Sequence, residues 1–319
     1  MKKETQRSTN PYKYSDSNKR YQTFDYYLRS LFGEKCAKIS LDAGFTCPNI
    51  DGTLSRGGCI FCKGGSSGAE RGATIREQYE RGKEVMVRKW GCEKFIPYLQ
   101  AHTNTYAPTD DLKRVYDEAS SLEGAVMLAV ATRADCLPDD VISLLRGVSE
   151  KIPLMVELGL QSTSDETARR INRAHTYADF LEGYEKLRRG VPDVKIAVHL
   201  INGLPGEARA DMVKSAEDVA KLRPDVVKLH LLHVIKETPL ADLYEAGEYD
   251  PMEQDEYVAA VCDQIERLPP ECAIGRVSGD AKGDELVAPL WCQRKTAVAN
   301  EIDKELYRRG TYQGILFKK

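Results

Sequence analysis

The sequence predicts an α/β protein built as an open or partial (β/α)6 barrel of the TIM type, with short extensions at both ends. Three observations carry this. Short runs that are apolar on both faces recur along the 319 residues, as strands buried inside a parallel sheet do. Amphipathic helical stretches separate them in regular alternation, the pattern of βα units. A hydrophobic content of 42% lets a chain of this length bury one large core or two smaller ones.

FDYYLRSLFG reads as a short helix closed by Gly33, and KCAKISLDA as an alternating first strand. Strands are then predicted over KFIPYLQA (94–101), GAVMLAV (124–130), IPLMVELGL (152–160), VKIAVHLI (194–201) and DVVKLHLL (225–232). Helices are predicted near 110–121, 138–150, 164–189 and 207–222, with a further helix over 253–267, a strand at AIGRV and a last basic helix over 293–309. The chain therefore divides into an N-terminal arm and helix (1–34), a core barrel (35–240) and a C-terminal extension that completes the barrel (241–319). In such a barrel the chemistry collects at the C-terminal ends of the strands.

A net charge of −3 conceals a polarised chain. Residues 1–38 hold nine Lys/Arg against four Asp/Glu, and residues 292–319 hold seven against three, so the middle is acidic. In the arm the positive charges alternate with Tyr12, Tyr14, Tyr21, Phe24, Tyr26 and Tyr27. That mixture suits phosphate contacts and base stacking; the alternative is an arm whose aromatics pack on the main domain. The opening residues lack the apolar core of a signal peptide and no run approaches a membrane span, so a cytoplasmic location with no membrane partner is expected. Nine cysteines, an odd number, point to free thiols plus a metal or catalytic site rather than a disulfide framework.

Cys47 to Gly68, CPNIDGTLSRGGCIFCKGGSSG, places three cysteines and six glycines in a loop directly after the first strand. The spacing of Cys47, Cys59 and Cys62 is C-x11-C-x2-C. Three thiolates can hold three irons of a four-iron cluster and leave the fourth open, as a catalytic zinc keeps an open position. Glycines let the backbone wrap closely and aim N–H groups at the sulfides. A structural zinc with Cys36 or a histidine as fourth ligand is the alternative, although zinc ribbons bring two close pairs and Cys36 has no near partner. Cys92, Cys136, Cys262, Cys272 and Cys292 stand singly and read as small packing residues. GGSSG lacks the Lys-Ser/Thr of a phosphate loop.

Cys-Ile-Phe-Cys, with an aromatic before the last cysteine and repeated βα units behind it, resembles the radical S-adenosylmethionine (radical SAM) superfamily. The long gap before Cys59 is similar to that of a narrower group related to the radical domain of the Elongator catalytic subunit. SLDAGFTCPNIDGT, RGGCIFC, QAHTNTYAP, ATRADCLPD, ELGLQS, INRAH, HLINGLPGE and RVSGDAKGDELVAP together resemble the YhcC/YtqA group, whose YtqA branch is also called MnmL. The likeness runs from about residue 20 to the end.

The resemblance implies a barrel of the radical SAM type in which Cys47, Cys59 and Cys62 ligate a [4Fe-4S] cluster. The open iron binds S-adenosylmethionine (SAM), and an electron from a reductant such as flavodoxin or ferredoxin cleaves it to methionine and a 5′-deoxyadenosyl radical. It further implies that Glu157 and Gln161 contact the SAM ribose, that Arg173 pairs with its carboxylate, and that Gly203 and Gly206 lie beside its adenine; an ordinary βα turn is the other reading of those glycines. His102, Thr103, Asn104 and Thr105 stand where the superfamily's Gly-Gly-Glu meets the SAM amino group. His102 and Arg133 lead the candidate catalytic residues, followed by Lys228, His199, His230 and His233, although a lone strand histidine is commonly a hydrogen-bonded core residue. The MnmL likeness implies a tRNA partner and conversion of a carboxymethylaminomethyl group to aminomethyl at C5 of the wobble uridine. A different RNA, protein or metabolite substrate is one rival expectation; a non-catalytic RNA-binding module with a structural metal is another. No segment of acetyltransferase size follows the barrel, so an Elongator-like second activity is not expected.

Overall fold

The computed structural model describes residues 10–63, 72–279 and 283–318; the GGSSG stretch lies outside them. Among the described residues nine strands run in the order β1 (Cys36–Leu41), β2 (Lys94–Leu99), β3 (Leu128–Thr132), β4 (Leu154–Gln161), β5 (Lys195–Asn202), β6 (Val226–Leu231), β7 (Val234–Ile235), β8 (Ala273–Arg276) and β9 (Leu286–Ala288). Seven of them form one sheet in the order β1-β2-β3-β4-β5-β6-β8, with every pair parallel. This is the curled partial barrel that the sequence predicts, with β8 extending it beyond six βα units. β7 and β9 make a small antiparallel ladder beside it.

The helices are α1 (Phe24–Phe32), α2 (Ile75–Trp90), α3 (Thr109–Ser120), α4 (Asp139–Ser149), α5 (Asp165–Arg170), α6 (Tyr177–Gly190), α7 (Arg209–Leu222), α8 (Pro239–Glu245), α9 (Gln254–Arg267) and α10 (Lys295–Arg308). Sequence reasoning missed α2 and α8. In α2 only Ile75, Gln78 and Tyr79 are buried, so its apolar stripe is faint; a Thr74–Glu77 capping box starts it. The single helix predicted over 164–189 is two. Asn172 (φ 52°) and Ala174 (φ 60°) take left-handed conformations that a helix cannot contain, and the turn between α5 and α6 delivers Arg173 to the barrel mouth.

The main core lies between the sheet and its outer helices. A second apolar cluster fills the inner face, where Ile96, Tyr98, Met127, Ala129, Met155, Ala197, Val226 and Ala273 meet Tyr27 and Leu28 of α1. Helix α1 thus closes the lower end of the barrel. It begins at Thr23, whose hydroxyl accepts from Tyr26 N–H, and ends at left-handed Gly33. Polar space remains only towards the C-terminal ends of the strands.

The arm corrects one expectation. Tyr12, Tyr21 and Tyr27 are buried in the fold and so are not available for base stacking. Tyr12 Oη donates to Pro270 O at 2.6 Å, and Gln313 N–H and Ile274 N–H donate to Arg20 O (2.9 Å) and Gln22 O (2.8 Å). The two basic ends of the chain are therefore packed together.

Candidate active site

Two hollows open near the strand ends. The larger, about 1060 Å³, is rimmed by Asp111, Asp135, Asp140, Asp179 and Glu182 against Lys186, a charge balance that repels anionic cofactors and nucleic acid. The smaller, about 280 Å³, lies inside the barrel and is lined by Cys47, Cys59, Cys62, His102, Arg133, Glu157, Gln161, Arg173, His199, Lys228 and His230 among others. Most of the residues singled out from the sequence thus meet in one cavity. Gly203, Gly206 and His233 stand outside that lining. A Cβ at Gly206 would overlap the Arg170 guanidinium at 1.2 Å, and one at Gly203 would press on Met252 at 3.0 Å, so these glycines serve close packing as well as their left-handed turns.

The cysteine loop is held from two sides. Thr103 N–H donates to Thr46 O at 3.1 Å, and Ile60 N–H to Ile171 O at 3.1 Å. Asn172 is the principal clamp: its Nδ2 donates to Gly58 O at 2.7 Å and to Arg56 O at 3.3 Å, and its Oδ1 accepts from Ser55 Oγ at 3.1 Å. Asn49 Nδ2 returns the contact, donating to Asn172 O at 2.6 Å and reaching Cys59 Sγ at 3.6 Å. Burial, with Cys62 and Cys47 nearby, pushes the Cys59 thiol up to about 12. Ionising the Cys59 thiol therefore calls for a cationic partner, and an iron–sulfur cluster supplies one. Among the described residues no three His, Cys, Asp or Glu side chains converge on a single ion; the three thiols share a cavity wall. The donor set fits the cluster.

Where Gly-Gly-Glu was expected, the segment after β2 divides its labour. Asn104 Nδ2 donates to Leu99 O, Ala101 O and Ala131 O at 3.0, 2.9 and 3.0 Å, and Thr105 Oγ1 donates to Cys136 O at 2.6 Å. These two bind β2 to β3. His102, in a left-handed conformation at φ 60°, and Thr103 face the cavity.

Arg133 is chelated by Asp135 at 2.9 and 2.7 Å and donates to Arg173 O at 2.8 Å. Arg173, 1% exposed, gives its guanidinium to the carbonyls of Leu160, Ser162 (2.7 Å) and His175 (3.1 and 2.9 Å). Burial lowers it to about 10. Both arginines therefore shape the cavity wall through hydrogen bonds already made. Gln161 is left-handed (φ 66°) with its buried Oε1 unpartnered among the described residues, which leaves an unsatisfied acceptor in a residue of the cavity lining.

Glu157 is the one carboxylate on the lining among the described residues. Both of its oxygens are engaged. Oε1 accepts from Lys38 Nζ; Oε2 accepts from Lys228 Nζ, from Tyr98 Oη at 2.5 Å and meets His199 Nε2 at 2.9 Å. Burial alone would push this carboxyl up, but Lys228, Lys38 and the His199 hydrogen bond hold it well below the usual carboxylate range. Burial and the Lys228 charge bring His199 down to about 4. Lys38 and Tyr98 were missed from the sequence. Their signal is a polar side chain in the middle of a strand, Lys38 within CAKISL and Tyr98 within KFIPYL.

Comparison with known proteins shows which family the chain belongs to. The family model described as Radical SAM superfamily matches residues 55–219, and that of the Radical SAM C-terminal domain matches 224–308. The chain belongs to the radical SAM superfamily. It is 43% identical over 313 residues to the uncharacterised YtqA of Bacillus subtilis (strain 168), covering 97% of each chain. It is 27% identical over 278 residues to the tRNA uridine(34) acetyltransferase of Methanocaldococcus jannaschii, covering 72% of this chain and 50% of that protein. Its fold matches that of an N-terminally deleted Methanocaldococcus infernus Elp3 with a TM-score of 0.68 at 19% identity, over 87% of this chain and 64% of that longer one.

Radical SAM enzymes work with a [4Fe-4S] cluster and SAM, and this chain is one of them. Membership replaces the expectation of a non-catalytic module held by structural zinc.

Proposed function

We propose that this radical SAM enzyme modifies tRNA at the wobble uridine, removing the carboxymethyl part of a carboxymethylaminomethyl group at C5 to leave aminomethyl. The 43% identity to YtqA across 97% of both chains carries the reading, because the motifs resemble the branch also called MnmL. Similarity to a tRNA uridine(34) acetyltransferase supports tRNA as substrate.

Bound to Cys47, Cys59 and Cys62, the cluster and its SAM supply a one-electron cleavage that yields a hydrogen-abstracting radical. The chain's own residues do the rest. Gln161 offers an acceptor beside the cofactor at the end of β4, and the Arg133–Arg173 pair fixes the wall against which both ligands pack. His102 faces the substrate from the β2 end. The floor closed by α1 keeps water from the reacting groups. An anticodon base reaches this depth only when turned out of its stack. Electron delivery falls to a small reductant of the flavodoxin or ferredoxin kind.

Nucleoside analysis of tRNA from a strain lacking the protein tests the reading. Carboxymethylaminomethyl-uridine should accumulate while aminomethyl-uridine and its derivatives disappear; an unchanged wobble-uridine profile would overturn it.

A further inference from the structure

Below the cysteine loop the barrel interior carries a charge imbalance. His199, Lys228 and Arg276 stand at one level on adjacent strands, paired in register as His199↔Lys228 on β5 and β6 and Lys228↔Arg276 on β6 and β8. His230 lies one inward step higher on β6, its ring centroid 5.1 Å from that of His199, and its buried Nε2 has no hydrogen-bond partner among the described residues. Lys38 on β1 and Tyr98 on β2 join Lys228 on the Glu157 carboxylate of β4; β3 lines the cavity with Ala131 and Thr132. Beneath lies the apolar floor with Tyr27 of α1.

The single Glu157 carboxylate is thus shared by two ammoniums, those of Lys38 and Lys228. Lys38 and Lys228 lie 4.5 and 4.9 Å from the centroid of the Tyr98 ring, and the Lys228 side chain is 8% exposed. Buried surplus charge of one sign is costly. Two events relieve it: loss of a proton from one lysine, or arrival of an anion. Burial, assisted by Lys38 and Arg276 and opposed by Glu157, brings Lys228 down to about 7, so the first event is within reach at mildly alkaline pH.

We propose that this level of the barrel is a carboxylate-binding subsite in which Lys228 and His230 receive the anionic end of the substrate, and that Lys228 takes a proton from solvent as the carboxylate enters. The subsite rests on the wobble-uridine reading only for naming that carboxylate as the carboxymethyl end of the nucleoside side chain. Its role is to hold and count charge: the neutral amine becomes an ammonium, paired on one side with Glu157 and on the other with the ligand. A product that lacks the carboxylate loses this contact and releases the proton.

The test uses the anaerobically reconstituted holoenzyme with SAM, titrated calorimetrically with N-ethylglycine in two buffers of different ionisation heat. N-ethylglycine carries the secondary amine and carboxymethyl group of the proposed side chain. Binding should take up close to one proton per site at about pH 8 and little at about pH 6, since Lys228 is already protonated below its own pKa. Lys228→Met should weaken binding at least tenfold, while Lys228→Arg should keep binding and lose the proton uptake. Ethylamine, which lacks the carboxylate, should not bind. Absence of N-ethylglycine binding, or binding and uptake unchanged in Lys228→Met, would overturn the subsite. Lys228-dependent carboxylate binding beside an unchanged tRNA nucleoside profile would sustain the subsite and remove the wobble-uridine reading.

Discussion

Glu157 shows how much of the site a single side chain organises. Its carboxylate joins β1, β2, β4, β5 and β6 through Lys38, Tyr98, His199 and Lys228. Removing one partner of a buried ion pair typically costs about 3–5 kcal/mol, because the remaining charge is stranded. Glu157→Gln should therefore lower the free energy of unfolding by about that amount in chemical denaturation at neutral pH; a loss under about 1 kcal/mol would show that Glu157 is not the charged centre of the cluster. The cysteines were legible in the sequence because their chemistry is local: three thiols in one loop announce a ligand set. Glu157 was legible only as a strand-end carboxylate. Its partners Lys38 and Tyr98 were not, since they come from strands far apart in sequence from β4 and their convergence on it depends on curl and register that a single strand does not encode.

At the scale of elements, the turn between α5 and α6 does more than break a helix. Its Asn172 side chain holds the loop that carries Cys59, and its Arg173 fixes the carbonyls at the end of β4. The helical periodicity of residues 164–189 concealed this turn, because the flanking segments keep an amphipathic pattern while tertiary hydrogen bonds pull residues 171–176 out of helix. The same limit applies to α2, whose caps are clear and whose apolar stripe is faint. Asn172→Ala removes three side-chain hydrogen bonds and puts a less tolerant residue in a left-handed conformation. The variant should fold with near wild-type circular dichroism yet retain less than half the iron per chain after anaerobic gel filtration. Full iron retention would mean that the turn does not support the cluster loop.

For the whole molecule, the parallel strands were readable because burial on both faces leaves an apolar run, and the helices because they alternate with those runs. The part that composition misled was the arm. Basic residues at both ends and aromatics in the arm suited either RNA contacts or packing on the main domain, and Tyr12, Tyr21 and Tyr27 take the second course, Tyr12 bonding to Pro270 O and Tyr27 closing the barrel floor. What remains is a barrel sealed below, open above, with thiols at its mouth and a cationic interior. That architecture matches a small anionic group carried in on a large substrate. The most direct measurement is liquid chromatography with mass spectrometry of nucleosides from carboxymethylaminomethyl-uridine tRNA, after anaerobic incubation with the reconstituted enzyme, SAM and dithionite. The account predicts that aminomethyl-uridine appears as carboxymethylaminomethyl-uridine disappears, with 5′-deoxyadenosine formed and all three changes lost in Cys47→Ala, Cys59→Ala and Cys62→Ala. Deoxyadenosine formed over an unaltered wobble nucleoside would contradict it.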